Sequence, residues 1–84
     1  MHNAGEFMPG LVLPPAYHGV LRKRLTEIDM IDSLADCQIA QARAEGMVEA
    51  LELLNVLEAD QIERLYLLIE QFATARLQEL GRTQ

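Results

Sequence analysis

Residues 21–46 read LRKRLTEIDMIDSLADCQIAQARAEG. At 100° per residue, Leu21, Leu25, Ile28, Ile31, Ala35, Ile39, Ala42 and Gly46 share one helical face, and Tyr17 extends it backwards. The stripe crosses this stretch without a phase jump. It predicts one long helix from residue 16 to about residue 54, continuous or merely kinked. The rival reading is a break near residues 24–26. There Thr26-Glu27-Ile28-Asp29 offers a capping residue followed by acids at the positive end of the helix dipole. Gly19 weakens the first part of the helix by about 1 kcal/mol. After Gly46 the stripe swings to Met47, Ala50, Leu51, Leu54 and Leu57, which requires a bend at the glycine or two different neighbours.

Downstream, Asn55 to Ala59 reads as a turn, and Asp60-Gln61-Ile62-Glu63 has the form of a capping box. A second helix is predicted from Gln61 to Leu80, ended by Gly81. Its apolar face is Ile62, Leu65, Tyr66, Ile69, Phe72, Ala73, Leu77 and Leu80. Folding the chain at residues 57–58 sets Ile69 over Gly46, Phe72 near Ala42 and Arg43, and Leu80 near Ala35. Bulky residues then face small ones, which allows close approach. The predicted hairpin core is Ala35, Ile39, Ala42, Gly46, Ile62, Leu65, Ile69, Phe72 and Leu80.

The second helix covers only about half of the first stripe. Leu21, Leu25, Ile28, Ile31 and Leu34 are left for another surface, most simply a second copy of the chain. The expected fold is therefore all-α: an antiparallel helical hairpin with a long first helix, assembling into a homo-oligomer, most simply a dimeric four-helix bundle. Leu67, Leu68 and Ala75, with Met47, Val48 and Leu51, suggest a further apolar interface.

Composition agrees with an oligomeric helical protein. The chain has 84 residues, half of them hydrophobic and few aromatic, so it holds much apolar surface but little bulk. The net charge of −6 is uneven: residues 1–24 carry one acid and three bases, whereas residues 25–84 carry twelve acids and four bases. A general polyanion binder would not be built this way. A single cysteine excludes an intrachain disulfide and fits a reducing cytoplasm. No apolar run approaches the roughly 20 residues of a membrane span, and no basic and apolar leader opens the chain.

Residues 1–15 read as an irregular arm before a hairpin domain of residues 16–84. Pro9-Gly10 and Pro14-Pro15 break helices, and Leu11-Val12-Leu13 between them reads as extended, lying on a groove or pairing as an edge strand. A Glu-Phe pair directly before Met8 matches the scar of a common cloning site. Met8 is accordingly one candidate natural start, and residues 1–7 are set aside from functional reasoning.

Few residues suggest chemistry. His18 has no cysteine or carboxylate at zinc-ligand spacing. Cys37 has no histidine one helical turn away to act as its base, so it reads as a small, packed or half-exposed helix cysteine. Glu27, Asp29, Asp32 and Asp36 form an acidic run that reads as a solvated face, with weak cation binding or pairing to a second chain as the alternative. No Glu-x-x-His pair of a di-metal bundle occurs. Neither a metal nor a cofactor is expected, and no membrane partner. Arg76, inside the apolar face of the second helix, is predicted to pair with Asp36 within or between chains.

Two functional classes fit. The first is a non-enzymatic interaction protein of adaptor or inhibitor type that self-associates and presents a helical surface. The second is a small regulator that binds an anionic ligand or nucleic acid through Tyr17, His18, Arg22, Lys23 and Arg24, the single basic cluster. Enzymatic activity is not expected, because no pair of titratable groups is poised for acid–base work.

Overall fold

A computed structural model describes residues 5–82. Its elements are two short strands, β1 (Glu6–Met8) and β2 (Leu11–Val12), then three helices, α1 (Pro15–Met30), α2 (Leu34–Leu54) and α3 (Ala59–Arg82). The protein is predominantly helical, as the sequence predicts. The helix count differs: the predicted long first helix is two helices joined by an elbow at Ile31, Asp32 and Ser33.

The break lies beyond Thr26, and its cause is local. Ile31 takes an extended backbone (φ −74°, ψ 155°), as does Ser33 (φ −139°, ψ 155°). Ser33 then caps α2, its Oγ accepting a hydrogen bond from the Asp36 N–H at 3.2 Å. The three non-helical residues reset the helical phase. α1 turns back on the rest of the chain, so Leu21, Leu25 and Ile28, expected to wait for a second copy, are buried in the protein's own core. Ile31 is partly buried against that core, and only Leu34 of the five is exposed.

The same reset corrects the face of α2. Its buried residues are Cys37, Ala40, Ala44, Val48 and Leu51, whereas Ala35, Ile39, Ala42 and Gly46 face outward. On α3 the prediction fares better. Ile62, Leu65, Ile69 and Ala73 are buried, and Phe72 and Leu80 are partly buried. The Cys37 Sγ lies 3.9 Å from the Ala73 carbonyl oxygen, where α2 packs on α3. Val48 and Leu51, assigned to a further interface, belong to this core; Met47 and Leu68 pack against it, and Leu67 and Ala75 are exposed.

The α2–α3 turn is closed by Asn55, whose left-handed backbone (φ 57°, ψ 39°) lets its N–H reach the Glu52 carbonyl at 3.0 Å. The start of α3 differs from the predicted capping box. Gln61, not Glu63, reaches back, its Oε1 accepting from the Glu58 N–H at 2.8 Å, and Asp60 lies inside the first turn. α3 also runs through Gly81 to Arg82.

Residues 6–12 of the arm are not irregular. Glu6 pairs with Val12 and Met8 with Leu11, antiparallel, so the extended Leu11-Val12 segment does find a strand partner. Gly10 has φ +76°, which glycine adopts without strain, and its N–H donates to Glu6 Oε2 at 2.9 Å. Phe7, set aside in the sequence reading, is 3% exposed and part of the core, along with Leu11 and Leu13. Through these three residues the N-terminal segment packs into the same core as the three helices.

Candidate interaction surface

The elbow between α1 and α2 shapes an apolar groove on the surface. A groove of about 390 Å³ runs between the C-terminal end of α1 and the start of α2. Met30, Ile31, Ile39 and Ala40 form its apolar wall, and Glu27, Asp36 and Arg43 its charged rim. Met30 is 75% exposed and Ile39 59%. Folding leaves them there because the core is already closed beneath them by Ile28, Cys37 and Ala40.

Arg76 holds the elbow in place. Its Nε donates to the Ile31 carbonyl at 2.7 Å and its guanidinium also meets Glu79 at 3.0 Å. Within the chain the predicted Arg76–Asp36 pair does not form: the arginine supplies a donor to the carbonyl orphaned where α1 stops. Asp36 instead lies at the groove rim, with its backbone capped by Ser33.

The basic cluster is dispersed among structural contacts. The Arg22 guanidinium stacks over the Phe7 ring at 4.3 Å and donates to the Phe7 carbonyl at 2.7 Å. His18 meets the same ring edge-on at 5.2 Å. Arg24 grips Glu27 at 3.0 Å. Tyr17 packs against the core, and Lys23 is exposed. The five residues do not converge on one anion site; two of them clasp the N-terminal hairpin to α1.

Cys37 is buried, and burial pushes its thiol above the usual value, opposed in part by the positive field of Arg76. It is a packing residue of the α2–α3 seam. Tyr66 on α3 stands beside the acidic flank of α2. Burial raises its phenol first, and the charges of Glu52, Glu49 and Glu45, with a hydrogen bond to Glu52, raise it further. Among the described residues, no three His, Cys, Asp or Glu side chains gather as a metal site would require. No helix among them is long and apolar enough to cross a membrane.

The sequence reading missed Met30 and the groove, because it carried the helix straight through residues 31–33. The signal was present: Ser33-Leu34-Ala35-Asp36 has the S/T-x-x-D/E form of a helix start. Comparison with protein-family models, with curated proteins and with solved structures finds no match to this chain.

Proposed function

We propose that this protein is a small, non-enzymatic, helical protein–protein interaction module, of adaptor or inhibitor type, that self-associates. One observation carries the reading. Met30 and Ile39 stand exposed around an apolar groove whose rim is Glu27, Asp36 and Arg43, on a protein whose core is complete without them. An apolar centre with a charged rim is the usual anatomy of a protein-binding patch. The anion or nucleic-acid reading has less support, since Arg22 and Arg24 are engaged within the chain.

The test is solution mass by light scattering on the full chain, from low to high micromolar concentration, beside an Ile39→Ser variant. A concentration-dependent rise in mass that the variant lacks supports the reading. A strictly monomeric chain at all concentrations counts against self-association.

A further inference from the structure

The outer face of α2 has a pattern that its own chain does not use. Ala35, Ile39, Ala42 and Gly46 follow one another at spacings of four, three and four, directly opposite the buried side of the helix. A Cβ added at Gly46 would meet nothing within 4 Å, so the face is open. Its two flanks are polar and unlike. Asp36 and Arg43 lie on one, Gln38 and Glu45 on the other.

From this we infer that a second copy of the chain docks on this face, with its α2 antiparallel to the first about a two-fold axis. The inference rests on the self-association reading above and adds the face, the direction and the register. A spacing of alternating four and three residues is the seam of a two-helix contact. Setting Ile39 against Ala42 of the second copy makes the symmetry repeat that contact, and it brings Ala35 against Gly46. Each large residue then meets a small one, and the backbones approach closely.

Charge decides the direction. In an antiparallel pair, like flanks meet. Asp36 of one copy then faces Arg43 of the other, twice over, and Gln38 faces Glu45, also twice. This is the self-complementarity that a two-fold interface requires. In a parallel pair, unlike flanks meet and Asp36 stays apart from Arg43. Arg43 can exchange its present partner for this one: its side chain is 54% exposed and its salt bridge to Glu27 spans 3.8 Å, a weak, solvated pair. Both grooves lie on the Asp36–Arg43 flank, so docking brings the two Met30 side chains under cover as well. The shared seam from residue 35 to residue 46 is only about 17 Å long, which suits a dimer that dissociates in the micromolar range.

Charge exchange tests the register. Asp36→Arg and Arg43→Asp both alter exposed residues, and circular dichroism checks that each variant keeps its helix content. Sedimentation of the full chain should show a wild-type dimer, and each single variant should dimerise at least about tenfold more weakly. An equimolar mixture of the two variants should recover dimers, because both ion pairs re-form in the mixed species. The double variant should recover them alone. A wild-type dimer that both single variants leave intact would overturn this face and register while leaving self-association standing. A monomeric wild-type chain would overturn both.

Discussion

Arg76 on α3 and Ile31 at the end of α1 are joined by a 2.7 Å hydrogen bond across 45 residues of chain. This bond ties the elbow to the third helix. Without it the Ile31 carbonyl would lose its charged donor. A bond from a charged donor contributes more than a neutral one. Arg76→Ala should therefore destabilise the fold by about 1–2 kcal/mol, seen as a lower urea midpoint. Arg76→Lys should recover little of it, because one ammonium cannot span the Ile31 carbonyl and Glu79 as the planar fork does.

Ser33 fixes where α2 begins. Ser33→Ala removes the acceptor for the Asp36 N–H and should cost about 1 kcal/mol, while Ser33→Asp should be nearly neutral. Hydrogen exchange should localise the loss to the first turn of α2, at Asp36 and Cys37. Equal protection in both variants would show that the cap is not what ends the elbow.

How much of this was legible can be argued from Ser33 and Ile39. The α3 face was readable because its apolar residues keep one phase from Ile62 to Ala73, with nothing to interrupt them. The α1 stripe was readable too, but its partner was not. Helical periodicity counts residues, and three non-helical residues at 31–33 advance the count without advancing the helix. A phase carried straight through them puts Ile39 in the core, whereas the structure exposes Ile39 and buries Cys37 and Ala40. The seam now proposed for a second copy is the face that the uninterrupted phase had marked. Periodicity found an apolar stripe correctly and could not say which surface covers it. The basic cluster failed for a different reason. Arg22 is engaged by Phe7, a residue that sequence logic had set aside as extraneous.

Phe7 offers a direct check of that correction. It is 3% exposed, carries the Arg22 guanidinium on its ring and receives the edge of His18. Phe7→Ala should cost about 3 kcal/mol, the lower range for a buried aromatic. A chain begun at Met8 should be destabilised at least as much. Arg22→Ala should cost less, since the ring keeps its contacts with the core. A Met8 start with unchanged thermal stability would show that the N-terminal hairpin is dispensable.

Alkaline pH should unfold the protein through two groups. Cys37 and Tyr66 both have folded-state values raised above their ordinary 9.0 and 10.0, mainly by burial. A raised value means that the folded state holds its proton more tightly than the unfolded chain. The stability tied to each group is thus complete below its unfolded value and is lost as pH climbs through the folded one. Urea titrations should show a constant midpoint up to about pH 8.5 and a decline above it. Tyr66→Phe should flatten the part of the decline above pH 10 and leave the earlier part, which belongs to Cys37. In the same samples Cys37 should react with a thiol reagent only as fast as the α2–α3 seam opens. A fast, denaturant-independent reaction at pH 8 would contradict its burial.

Gly19 separates helix propensity from packing. It is exposed in the middle of α1, and an added Cβ would meet nothing within 4 Å. Gly19→Ala should stabilise the protein by about 0.5–1 kcal/mol, because alanine loses less backbone freedom in a helix and adds no clash. Gly46→Ala is open in the same way within one chain, so its effect on the monomer should be similar. In a dimer, however, the new methyl would enter the proposed seam opposite Ala35. The two substitutions should therefore match in thermal melts at low concentration and diverge at high concentration, where only Gly46→Ala disturbs association. If they stay matched throughout, Gly46 is no part of a close helix contact.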